Sequence, residues 1–131
     1  MRLVIDTSAL VAIAAEEPEC DSFIERLEAS DEILISPMNY AETGVALTMH
    51  GLFDSREAID IWLADYRVQV AHEPKTGAVA LDAYLRFGKG RHPAELNLAD
   101  CFAYALAKTL DAPLLYKGDD FPLTDIRSAL D

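Results

Sequence analysis

The chain has 131 residues, 51% hydrophobic and 26% charged, which fits one domain spanning 1–131 around a single core. Eleven Lys+Arg against 23 Asp+Glu give a formal net charge of −12, which disfavours broad phosphate neutralisation and favours a basic partner, divalent cations, or both. No apolar run nears the roughly 20 residues of a membrane span. The N-terminus lacks a secretory pattern, and Cys20 and Cys101 have no metal-ligand spacing, so a reducing cytoplasm is expected.

The first expected element is a strand over residues 2–6, in which Leu3, Val4 and Ile5 run straight into Asp6, followed by Thr7 and Ser8. A helix over about 8–16 comes next, then one over 19–29 with Phe23, Ile24 and Leu27 at helical spacing. After a strand at 32–35, Ser36-Pro37 reads as an N-cap with proline at the first helical position. That helix runs to about His50, where Gly51 stops it. Asp54 or Ser55 starts another, to Tyr66, before a strand at 68–71.

Helices over 75–87 and 97–110, a strand at 113–116 and a weak strand at 123–126 complete the chain. Short strands alternating with longer helices predict an α/β fold with a mainly parallel sheet. Such sheets bind ligands beyond the carboxyl ends of their strands. Asp6 sits at one such end, and Lys117-Gly118-Asp119-Asp120 sits at another.

Asp6 is equally suited to cap the next helix or to join a site. Glu42 has Met38, Asn39, Val45 and Ala46 within one turn, which predicts a carboxylate inside an apolar stripe. An isolated buried carboxylate protonates or finds a cation, whereas one at a helix edge reaches solvent. Asp100 fits a capping box with Asn97, but its same-face neighbours Ala103, Tyr104 and Ala107 are those of a closely packed helix. Asp119 and Asp120 are ordinary turn residues by type.

All four positions can nonetheless face one sheet edge. Carboxylates within about 5 Å would repel by roughly 3 kcal/mol per pair at an effective dielectric near 20. A hard divalent cation relieves that repulsion, and an all-oxygen donor set suits Mg²⁺ or Mn²⁺ rather than zinc. With its retained waters, such a cation suits phosphodiester hydrolysis, and Thr7 and Ser8 add hydroxyls at the same edge. His50, His72 and His92 are scattered and are assigned to no metal; Cys101 reads as a small buried residue, and Trp62 with Tyr66 as core or dimer contacts.

Four segments together, VIDTSALVA (4–12), SPMNYAET (36–43), GKGRHPAELNLADCFAYALA (88–107) and PLLYKGDDFPLTDI (113–126), resemble PIN-domain ribonucleases, specifically the VapC-type toxins of toxin–antitoxin pairs. The likeness covers essentially the whole chain. It implies a three-layer α/β/α fold with about five strands, and RNA cleavage with Mg²⁺ or Mn²⁺, structured tRNA being a common target. It also implies metal ligation by Asp6, Glu42 and Asp100, with a fourth acid at Asp120 or Asp119; an acid followed by Phe121 favours Asp120. A homodimer and a cognate VapB-type antitoxin, forming a higher complex, are implied as partners.

Phosphate affinity in so acidic a chain must come locally, and Arg86, Lys89, Arg91, His92 and Lys117 are the candidates. The first four also suit a helix C-terminus, where cations complement the dipole. Two rivals remain. A dehalogenase-type phosphatase wants a second Asp two residues after the first, where this chain has Ser8, and a receiver wants its phosphorylated Asp on a central strand. A purely interacting module would use the acids only to bind a basic partner.

Overall fold

Strand alternation divides the core. In the computed structural model, which describes residues 1–131, Leu3, Ile5, Ile33, Ile35 and Leu115 point to one face of the sheet, and Val4, Leu34 and Leu114 to the other. The strands are β1 (Arg2–Ile5), β2 (Glu32–Ile35), β3 (Val68–Val70) and β4 (Leu114–Leu115), all parallel, in the order β3-β2-β1-β4. Both faces are covered, as a parallel sheet requires. Helices α1 (Thr7–Ala14), α2 (Cys20–Glu28) and α4 (Arg56–Asp65) contribute to one core; α5 (Thr76–Phe87) and α6 (Leu98–Thr109) build the other. The three-layer α/β/α arrangement expected from the sequence is therefore present.

Between the layers runs α3 (Pro37–Met49), packed against both α1 and α6. Ser36 caps it by accepting from the Asn39 N–H, and Pro37 occupies its first turn. Trp62 lies edge-on to Tyr66 at 5.3 Å and tilted to Phe53 at 5.6 Å, packed against the first core. Core contact is thus the role of that pair within this chain. No helix is long and apolar enough to cross a membrane.

The sheet has four strands, not about five. Residues 123–126 are not a strand: Phe121–Leu123 is a 3₁₀ turn containing Pro122, which offers no backbone N–H. Thr124 then holds the chain locally, donating its hydroxyl to the Phe121 carbonyl at 2.7 Å and accepting from the Ile126 N–H at 3.2 Å. Only beyond this does the chain meet β4, through a bridge between Leu114 and Ser128.

Because β2 lies on one side of β1 and β4 on the other, β1 is the point where the chain's winding changes direction. A crevice opens at the carboxyl end of strands placed so. Asp6 follows the last residue of β1 there.

Candidate active site

Asp6 caps α1 and still keeps one oxygen free. Its Oδ2 accepts from the Ser8 N–H at 3.0 Å and from the Ser8 hydroxyl at 2.6 Å. Ser8 Oγ in turn accepts from the Lys117 backbone N–H at 2.9 Å, so the end of β4 is fastened to the end of β1. The other oxygen, Oδ1, is buried with no hydrogen-bond partner. Burial is the largest influence on this carboxyl and pushes its pKa up to about 7, against the pull of the two Ser8 bonds; the charges of Asp100 and Glu42 raise it further.

Asp100 stands in the first turn of α6 and completes the capping box. Its Oδ2 accepts from the Asn97 N–H at 3.0 Å, while its own N–H donates to Asn97 Oδ1 at 2.8 Å. Burial raises its pKa to about 6, opposed by the Asn97 bond and assisted by the charges of Glu42 and Asp120. Asp6 thus feels the charges of Asp100 and Glu42, and Asp100 those of Glu42 and Asp120, although the four acids come from separate parts of the chain.

Glu42 acts on these acids for a different reason than an apolar stripe. Val45, expected to bury it, is 59% exposed, and Met49, one turn further along, is 81% exposed. The buried face of α3 is instead Asn39, Thr43 and Leu47, and Glu42 lies half-buried beside it. Sequence reasoning misses Asn39 and Thr43 as individuals, because a polar residue in a helix usually faces water. Their position within the SPMNYAET segment is the available signal.

Asp119 and Asp120 are both exposed. Gly118 precedes them with φ +115°, a conformation that a side chain would strain, so the turn depends on glycine. The cations divide into free and engaged. Lys117 Nζ pairs with Glu17 at 2.7 Å and Glu19 at 3.3 Å, so its charge is offset within the chain. Arg86 lies 4.5 Å over the Phe87 ring and pairs with Asp125 at 3.7 Å. Arg91 Nε donates to the Leu85 carbonyl at 2.9 Å, and His92 Nδ1 accepts from the Ala94 N–H. Lys89 is exposed, on a loop closed at its base by hydrogen bonds between Lys89 and Leu96 and between Leu96 and Phe87.

A divalent cation fits these residues in donor chemistry. The donors are all carboxylate oxygens, one is buried and orphaned, and burial raises the pKa of two of the acids, a penalty that a cation would offset. No three acidic, histidine or cysteine side chains are closed into a ready cluster. Uncompensated carboxylates repel, and Mg²⁺ takes only about one or two of them with several waters.

Residues 3–126 match the model of the PIN domain. The chain belongs to the PIN-domain family. Within it, ribonuclease VapC30 of Mycobacterium tuberculosis is 42% identical over 125 residues, covering 95% of each chain. Ribonuclease VapC of Mycolicibacterium smegmatis is 43% identical over 126 residues, covering 95% of this PIN domain and 97% of that protein. The crystal structure of M. tuberculosis VapC20, described as a sarcin-ricin-loop-cleaving toxin, superposes with a TM-score of 0.70 over 95% of this chain and 98% of that one. At 20% identity that likeness speaks for the fold alone.

Proposed function

We propose that this PIN domain is a metal-dependent endoribonuclease toxin of the VapC type, hydrolysing phosphodiesters in tRNA or another structured RNA, with Mg²⁺ or Mn²⁺ as cofactor. The observation that carries this is Asp6, whose Oδ1 is buried without a hydrogen-bond partner and whose carboxyl feels the charges of Asp100 and Glu42. Asp6, Glu42 and Asp100 are the residues that would hold the ion. A bound divalent cation supplies Lewis-acid polarisation of the scissile phosphate and of the attacking water. The protein supplies the positioning: Ser8 fixes the Asp6 carboxylate in orientation, and the Asn97 capping box does the same for Asp100. Asp120, exposed at the rim and felt at Asp100, is the better candidate for the fourth catalytic acid than Asp119.

A dehalogenase-type nucleophile at Asp6 is disfavoured, since the position of its second acid is the Ser8 hydroxyl, committed to Asp6 and Lys117. A cytoplasmic toxin of this kind acts with a VapB-type antitoxin and as a homodimer. Exposed Val45 and Met49 on α3, and Leu81 and Leu85 on α5, supply apolar surface for those partners. The acidic surface suits a basic antitoxin segment.

Brief expression in cells of wild type and Asp6→Asn, followed by sequencing of RNA ends, tests the activity. Cleavage ends are expected at defined sites with wild type only; ends shared by both, or absent from both, refute it. RNA contact is assigned to Lys89 and Arg91. Neutralising both should weaken cleavage and lower the salt slope of RNA binding by up to about 2, one unit for each phosphate left without its cation. Unchanged kinetics and slope would remove them from the interface.

A further inference from the structure

Beneath the carboxylates lies a buried hydrogen-bond network. Asn39 is fully buried one turn before Glu42. Its side-chain amide donates to the carbonyl of Ala99, the residue before Asp100, at 3.0 Å. Its Oδ1 accepts from the Ser36 hydroxyl, while Ser36 Oγ accepts from the Asn39 N–H at 3.0 Å. With Oδ1 engaged there, the amide N–H₂ is the end presented to α6. The Asn39 carbonyl accepts from the Thr7 hydroxyl at 3.2 Å, and Thr43, fully buried, donates its hydroxyl to Thr7 Oγ1 at 3.2 Å.

Each acid of the proposed metal site therefore has its chain neighbour in this network: Thr7 beside Asp6, Thr43 beside Glu42, Ala99 beside Asp100. Apolar packing alone tolerates small slides of one helix on another, whereas directional bonds between buried polar groups fix one arrangement, because a broken bond leaves an unsatisfied group. We propose that Asn39 and Thr43 are positioning residues that fix α1, α3 and α6 at the spacing where Asp6, Glu42 and Asp100 converge on one divalent cation. The assignment rests on the metal-binding reading given above, and it concerns residues that do not themselves touch the ion.

Calorimetric titration with Mn²⁺ of wild type, Asn39→Ala, Thr43→Val and Thr43→Ser, alongside thermal unfolding without metal, tests it. Asn39→Ala and Thr43→Val should bind Mn²⁺ about tenfold or more weakly, as loss of groups that orient metal ligands does. Thr43→Ser restores the hydroxyl and should bind within about twofold of wild type. Thr43→Val has nearly the shape of the native side chain, so it carries the test should Asn39→Ala not fold. Wild-type Mn²⁺ affinity in Thr43→Val, with or without a lower thermal midpoint, overturns the proposal and leaves a structural role only. Absence of Mn²⁺ binding by wild type overturns the metal reading itself, and the positioning role with it.

Discussion

Asp6→Asn should abolish RNA cleavage and at the same time make the metal-free protein more stable at pH 8. The carboxyl is 4% exposed, and burial moves its pKa from 3.8 to about 7. Between those values the folded state binds a proton that the unfolded chain does not, so its contribution to stability falls as pH rises through this window. Above pH 7 the full penalty applies, on the order of 4 kcal/mol by linkage. Asparagine keeps an oxygen to accept from Ser8 and carries no charge. It also places an unsatisfied N–H₂ near the orphaned Oδ1 position, at a cost of roughly 1–3 kcal/mol. The protonated acid bears a similar unsatisfied donor at low pH, so the informative quantity is the change between pH 4 and pH 8. Unfolding in urea should show the variant gaining on the order of 4 kcal/mol relative to wild type across that range. Cleavage should fall at least about 10²-fold, because a ligand matters no less than the groups that orient one. A stability difference that does not change with pH would mean that the buried carboxylate carries no such penalty.

That opposition between stability and activity answers what an apolar strand ending in a charge is for. From the sequence, Asp6 is either a cap or a site residue; in the structure one oxygen caps α1 and the other is buried without a hydrogen-bond partner. The Asn97–Asp100 box and the Ser36-Pro37 helix start are readable because capping is local chemistry, confined to four consecutive residues. Helical spacing places all six helices for the same reason. The weak strand at 123–126 is absent because its apolar residues say nothing of whether a partner backbone is within reach, and Pro122 and Thr124 turn the chain away first.

Glu42 acts on Asp6 and Asp100 although Val45, part of the apolar stripe that singles it out in the sequence, faces solvent. Periodicity identifies a face of α3 but not which face is covered, since that depends on where α1 and α6 lie. Lys117 shows the same limit. Its place beside the acidic turn is legible, but Glu17 and Glu19, about a hundred residues earlier, meet it only in the folded chain. The network through Asn39 is likewise long-range, joining residues 7, 36, 39, 43 and 99.

Mn²⁺ affinity should tighten steeply with pH, and the pattern follows from the two perturbed acids. Asp6 titrates at about 7 and Asp100 at about 6 in the metal-free protein. A cation binding the ionised forms must displace whatever protons they hold. Above pH 7 there is none to displace and affinity is flat. Between pH 7 and 6 one proton is displaced, so the dissociation constant rises about tenfold as pH falls by one unit. Below pH 6 two are displaced, and the rise approaches roughly 100-fold per unit. Thermal unfolding reads the same linkage. A metal concentration near 100 times the pH 8 dissociation constant should stabilise by about 2.7 kcal/mol at pH 8, with the gain largely gone at pH 5.5 and reversed by a chelator at either pH. An affinity unchanged from pH 8 to 5.5 would place the ion away from Asp6 and Asp100, because neither carboxylate can ligate while its proton remains.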